Sequence, residues 1–203
     1  MGEALYVDGC YFDHSCAPSI ERWTYGRQLE FRAMRRIDTS LEAPLSYYID
    51  IAWPRSVRQR QLRDGWFFEC KCTKCESIDD ETFDYRLYRT WRETLNHTNV
   101  DVDLKIRLIR MHEIVYGEHN QFKTLTMAHL LINQLRNPPK NLTNQKTWMT
   151  DVKLLETQLE TEFRITHGKD HPMYRTYIID IRLQLYRQLK TKFGIDLKKL
   201  NAN

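Results

Sequence analysis

From about Asp79 onward, apolar residues recur at helical spacing. Phe83, Leu87, Trp91 and Leu95 form one stripe, Leu104, Leu108, Met111 and Val115 a second, and Leu125, Ala128, Ile132 and Leu135 a third. Steps of three and four residues return to one side of a helix, so each run predicts an amphipathic helix with a buried face. Two more runs follow: Trp148, Val152, Leu155, Leu159 and Phe163, then Tyr174, Ile178, Ile181, Leu185 and Leu189. Pro172 stands where a first helical residue tolerates a missing N–H, and the turn-forming Asn137–Asn141 separates the third helix from the fourth. Trp91, Leu108, Leu131, Leu155 and Ile181 are the expected buried anchors. Glu113–His119 and Arg164–His171 both close a helix with glycine, a turn and a histidine, and Gly117 and Gly168 fit the left-handed position that ends a helix. This echo, about fifty residues apart, suggests stacked helix pairs of the tetratricopeptide kind.

Before Ser77 the pattern differs. Arg27–Met34 ("RQLEFRAM") and Leu45–Trp53 ("LSYYIDIAW") partly alternate apolar and polar residues, as half-buried strands do. The chain therefore reads as α+β, with a strand-bearing first part followed by an all-α part.

At 203 residues, 41% hydrophobic and 12% aromatic, the chain can bury a substantial core. Its net charge of +4 is a mild excess without a polybasic block, which argues against nucleic-acid binding. No run approaches the ~20 apolar residues of a membrane span, and the first ten residues lack the regions of a signal peptide. A soluble intracellular protein is expected, so the glycosylation patterns at Asn96 and Asn141 are read as chance.

Three of the five cysteines lie within six residues. Cys70, Cys72 and Cys75 form C-x-C-x2-C, which offers three corners of a zinc tetrahedron, with Cys16 and Cys10 as candidates for the fourth. Lys71, Thr73 and Lys74 make the loop polar where a core would be apolar, and the lysines favour thiolates.

Four segments in order carry a family resemblance: Asp13–Ser19 ("DHSCAPS"), Leu29–Ile37 ("LEFRAMRRI"), Ser46–Asp50 ("SYYID") and Arg58–Cys75 ("RQRQLRDGWFFECKCTKC"). Together they resemble the second half of the SET domain and the post-SET loop of SMYD-type protein-lysine methyltransferases, whose pattern runs N-H-S-C-x-P-N, R-A-x-R-x-I, Y-I-D and L-R-x-x-Y-x-F-x-C-x-C-x-x-C. The helical remainder, with "HGKDHP" at His167–Pro172, resembles that family's tetratricopeptide-like C-terminal domain. The resemblance implies a partial SET-type β fold over residues 1–50, a zinc-bound post-SET segment over 51–78 and a helical domain over 79–203. It implies zinc on Cys16, Cys70, Cys72 and Cys75, which leaves Cys10 over as a buried thiol.

The resemblance also implies S-adenosylmethionine as cofactor, protein lysines of histones or other proteins as substrate, protein partners for the helical domain, and a place in nucleus and cytoplasm. Asp13, His14, Trp66 and Phe68 would face the cofactor, with Phe68 covering the adenine. The catalytic tyrosine falls on Tyr48 by the Y-I-D match, although ungapped counting from Arg32–Ile37 lands on Tyr47. Strand alternation would send only one of them into the site, and Tyr48 is the expected one.

Departures concentrate at this site. Asp13 replaces an asparagine that both donates and accepts, Ser19 a second asparagine, and Trp66 a tyrosine; "SLEAP" replaces G-E-E-L, with Pro44 unable to donate a ladder bond. No segment resembles the family's glycine-rich cofactor segment or its MYND finger, so the chain reads as a fragment or short isoform. The competing expectation is a catalytically inactive, zinc-stabilised protein-interaction module on a SET-derived scaffold.

Overall fold

The computed structural model of the chain describes residues 6–38, 43–77, 81–96, 102–140 and 142–195. Ser40–Glu42 of the "SLEAP" segment and the Asn141 glycosylation pattern lie outside these residues. Two compact units form, one from Met1–Thr94 with Met111–Asn120, the other from Leu95–Arg110 with Gln121–Asn203.

In the first unit, a 3-10 turn at Val7–Tyr11 precedes the antiparallel hairpin of β1 (Ile20–Tyr25) and β2 (Gln28–Ala33). Gly26 supplies the left-handed residue of the two-residue connection, at φ 58°. The strand expected at Arg27–Met34 is thus present as β2. Leu45–Trp53 is not a strand. Leu45 makes one parallel bridge with His14, after which local turns take over. Ser46 Oγ donates to the Ile49 carbonyl at 3.3 Å, Asp50 Oδ1 accepts from the Ala52 N–H at 3.0 Å, and Tyr48 takes φ 39°. Short polar side chains that capture nearby backbone groups compete with a ladder, and here they win.

Helix α1 (Arg55–Trp66) follows, ending where Phe67 adopts φ 61° and returns its N–H to the Arg63 carbonyl. A single turn, α2 (Thr73–Glu76), carries Cys75. Helix α3 (Glu81–Asn96) follows, and of α4 (Val102–Tyr116) the part from Met111 up to the closing Gly117 belongs to this unit. Trp53 stacks on Tyr85 with ring centroids 5.7 Å apart, and Tyr88, Trp91 and His112 continue the row of rings. Aromatic pairs at such offsets add to their burial, and here they tie α3 to the chain just before α1.

The second unit holds α4 up to Arg110, α5 (Gln121–Arg136), α6 (Leu142–Thr166), α7 (Pro172–Tyr174), a π-helical stretch Arg175–Ile181 and α8 (Arg182–Phe193). Lys123 and Thr124 at the start of α5 meet Glu162 and Thr166 at the end of α6, whereas Gln134 near the end of α5 accepts from Trp148 near the start of α6. The two helices are therefore antiparallel. Leu131, Leu135, Val152, Phe163, Ile178 and Leu189 are among the side chains that fill their shared core. Trp91, Leu108 and Leu131 are buried as expected, but Leu155 and Ile181 lie half-buried at the core edge. Ile181 ends the π-helical stretch, whose wider turns rotate the apolar stripe away from the phase of an ordinary helix. Gly117 and Gly168 take φ 95° and 83°, the left-handed closure read from the sequence. Among the described residues, no helix is long and apolar enough to cross a membrane.

Candidate metal centre and the adjoining cleft

The chain turns at Cys72 to start α2, and Cys75 donates its N–H to the Cys72 carbonyl at 2.8 Å, so one tight turn aims the loop sulfurs together. Cys16 joins them from the segment before β1. The sulfurs of Cys16, Cys70, Cys72 and Cys75 all lie within 4.8 Å of one another, and those of Cys16 and Cys75 are 3.6 Å apart. A zinc ion with bonds of ~2.3 Å sets its sulfurs about 3.8 Å apart, so this donor set fits a closed, structural zinc site. None of the four is in a disulfide. Packed so closely, the thiols bond one another. Hydrogen bonding to Cys70 and then to Cys72 pushes the Cys16 thiol up, whereas hydrogen bonds from Cys16 and Cys70 hold Cys72 down as a thiolate. The Cys75 thiol is lowered to about 7, chiefly by Cys16. Cys10 is neither a neighbour of this cluster nor the buried thiol expected. It is exposed, because the Val7–Tyr11 turn buries none of its residues, and its Sγ donates to the Val7 carbonyl at 2.8 Å.

Helix α1 grips the cysteine loop through Arg55, Arg58 and Gln59, whose spacing puts them on one face. Gln59 accepts from the Cys70 N–H at 2.9 Å and donates to its carbonyl at 2.7 Å. Arg55 donates to the carbonyls of Cys75 at 3.1 Å and Ser77 at 3.3 Å. Arg58, only 1% exposed, donates to the Trp53 carbonyl and brings Nη2 to 3.9 Å from Cys75 Sγ. Lys74 Nζ donates to the Ile51 carbonyl at 2.9 Å and lies over the Tyr116 ring. Sequence reasoning missed Arg55, Arg58 and Gln59, whose one available signal was polar residues at i, i+3 and i+4 upstream of the cysteines.

Beside the sulfurs lies a cleft of about 640 Å³, lined by Asp13, His14, Tyr47, Phe68, Cys70 and Cys72 and flanked by the charged Arg35, Glu69 and Lys71. The His14 ring stands 5.3 Å from that of Tyr47 and 5.8 Å from that of Phe68. His14 Nδ1 accepts the Tyr47 N–H at 3.0 Å, and its Nε2 lies 3.3 Å from Cys16 Sγ. Burial lowers the His14 pKa to about 4. The Tyr47 hydroxyl donates to the Phe12 carbonyl at 2.8 Å, and burial, then the charge of Asp13, raises its pKa.

Of the residues expected at the cofactor, Asp13, His14 and Phe68 line this cleft; Trp66 does not line it, its ring standing 6.1 Å from that of Tyr47. Tyr48 is placed elsewhere. It is 81% exposed, with the Arg22 guanidinium 3.5 Å above its ring. The choice of Tyr48 rested on the Y-I-D match, against the ungapped count that lands on Tyr47; the structure sets Tyr47, not Tyr48, against the cleft.

No known family profile matches the sequence. Individual relatives do. Over 81 residues, 40% of this chain and 18% of the relative, it is 35% identical to N-lysine methyltransferase SMYD2 of Bos taurus and equally to that of Homo sapiens. Over 204 aligned positions, covering 92% of this chain and 45% of the relative, it is 31% identical to histone-lysine N-methyltransferase SMYD3 of Mus musculus. The chain thus spans less than half the length of the curated relatives it matches. Similarity to one of them over 92% of this chain, with the α+β architecture and four clustered cysteines, places this chain in the SMYD-type lysine methyltransferase family.

Proposed function

We propose that the chain forms the second half of the SET domain, the post-SET segment and the helical domain of an S-adenosylmethionine-dependent protein-lysine methyltransferase, with zinc on Cys16, Cys70, Cys72 and Cys75 stapling the cysteine loop to the cleft. The observation that carries this reading is the wall of the cleft, where the rings of Tyr47, His14 and Phe68 stand against two of the four cysteines. A cleft of about 640 Å³ is within the range that encloses small cofactors. The cofactor, when bound, supplies a methyl group on a cationic sulfonium for in-line attack by an uncharged lysine amine. Phe68 and Tyr47 offer ring faces to a flat heterocycle, and Asp13 places a carboxylate where a cation is favoured. An ordinary tyrosine already holds its proton at neutral pH, and burial raises the Tyr47 pKa further, so Tyr47 acts as a dipole and hydrogen-bonding group, not as a base. On this reading the substrate is a lysine-bearing protein, histone or other, the helical unit contacts protein partners, and the place of action is nucleus and cytoplasm.

Calorimetric titration of the zinc-loaded chain with S-adenosylmethionine tests this. Binding that weakens in Tyr47→Phe and persists in Tyr48→Phe supports the reading and the tyrosine assignment together. In a methyl-transfer assay on lysine-bearing protein, the same pair should split the same way. Silence in the titration with zinc in place would favour the non-catalytic interaction scaffold instead.

A further inference from the structure

A zinc ion held by four thiolates carries a net charge of about −2, since four negative ligands exceed the +2 of the metal. Cys16, Cys70 and Cys75 are buried, so that charge is set largely out of water and needs compensation from the protein. We infer, on the zinc reading above, that Arg58 and His14 form the outer shell of this centre. Arg58 supplies positive charge at Cys75, and His14 links Cys16 to the backbone of Tyr47.

The geometry assigns each role. Arg58 lies within the unit at 1% exposure, anchored through Nη1 to the Trp53 carbonyl, with Nη2 turned to Cys75 Sγ at 3.9 Å. A guanidinium presents several N–H groups in a fixed plane, so one edge can hold the carbonyl while another meets the sulfur. Two neighbouring cations instead bond backbone, Arg55 the carbonyls of Cys75 and Ser77 and Lys74 that of Ile51.

For His14 the protonation pattern follows from its neighbours. Nδ1 accepts the Tyr47 N–H at 3.0 Å, so that nitrogen has a free lone pair and the ring proton resides on Nε2. Nε2 faces Cys16 Sγ at 3.3 Å and therefore donates to the sulfur. The Tyr47 hydroxyl in turn donates to the Phe12 carbonyl, two residues before His14. Sulfur, imidazole, tyrosine amide and tyrosine hydroxyl form one connected path, and displacement of Cys16 on metal loss is carried to the residue that faces the cleft. Both residues act through the metal ligands and are positioning residues.

The test uses the full 203-residue chain and a chromophoric zinc chelator as competitor. Arg58→Met should lower zinc affinity about 10- to 100-fold, and Arg58→Lys, which keeps the charge, should recover much of the loss. With cobalt in place of zinc, His14→Phe should move the thiolate-to-metal charge-transfer band to longer wavelength, because a sulfur that loses an N–H donor becomes a stronger electron donor. By NMR hydrogen exchange, the Tyr47 amide should exchange faster in His14→Phe, and also in the wild type after zinc is removed. Variants that match the wild type in zinc affinity, in the cobalt band position and in Tyr47 exchange would overturn the inference while leaving the zinc reading intact. A folded wild-type chain that binds no zinc would refute the zinc reading first, and this inference with it. If Arg58→Met does not fold by circular dichroism, Arg58→Gln takes its place: it keeps N–H donors without charge, and wild-type affinity in that variant overturns the charge role.

Discussion

Removing one end of the buried ion pair between α5 and α6 should destabilise the protein far more than removing both. Lys123 Nζ and Glu162 Oε1 are 2.8 Å apart, and the two side chains are only 8% and 9% exposed. At an effective dielectric of ~20, the attraction at that distance is about 6 kcal/mol, against which stands a desolvation cost of several kcal/mol for each ion. Lys123→Met deletes the attraction but leaves the Glu162 carboxylate in its buried place, and the expected loss is about 3–5 kcal/mol. Glu162→Leu should cost a similar amount by leaving the ammonium. The double variant replaces both ions with apolar volume and should fall within about 1–2 kcal/mol of the wild type, which gives a large coupling in the double-mutant cycle. Urea unfolding followed by helical circular dichroism measures all four proteins, with zinc held constant. Single variants that each lose less than about 1 kcal/mol would show that solvent screens the pair, and a double variant that loses the sum of the two would show no coupling; either result refutes the reasoning.

Cys72→Ser should lose the metal, whereas Cys10→Ser should keep one zinc per chain by elemental analysis; metal loss in the second would mean the ligand set is wrong. Burial holds the His112 pKa at about 3, well below the 6.5 of the unfolded chain. A depressed histidine leaves stability intact above pH 6.5 and removes it as pH falls toward 3, about 2 kcal/mol by pH 5. His112→Phe, which retains a ring against Trp91, should flatten that part of the stability-versus-pH curve, and equal slopes would refute the assignment. Gly117→Ala tests backbone strain alone, since an added Cβ meets nothing within 4 Å while φ stays at 95°. It should cost about 1–2 kcal/mol in chemical unfolding, and a neutral result would mean the helix end relaxes.

Where local spacing decides structure, the sequence was a good guide. The helical stripes of α3 to α6, the glycines that end helices and the C-x-C-x2-C loop all rest on residues a few positions apart. Selection of Cys16 over Cys10 was different, because spacing left both open and only the family pattern chose between them. The strand read at Leu45–Trp53 failed because Ser46 and Asp50 bond their own neighbourhood, a competition that an alternating pattern does not reveal. The tyrosines were a separate matter: the Y-I-D match and the ungapped count pointed to neighbouring residues, and only the local turns of the fold, with Tyr48 at φ 39°, decide which ring meets the cleft. Arg55, Arg58 and Gln59 were illegible for another reason. A polar face on a helix ordinarily meets water, and only the fold shows that this one meets the cysteine loop.

The distance along the chain between the first and last of the four cysteines has a bearing on how the protein reaches its fold. Cys16 and Cys75 are 59 residues apart, and a metal bridge between them closes a loop of that length. By the chain-entropy estimate for cross-links, closing such a loop withdraws about 4 kcal/mol of freedom from the denatured ensemble at 25 °C. β1, β2, Tyr47 and α1 all lie inside that loop. In a chain that captures its metal early, the segments Asp13–Cys16 and Phe68–Cys72 are already tethered neighbours while the hairpin between them is still forming, and the two sides of the cleft meet by a short-range search.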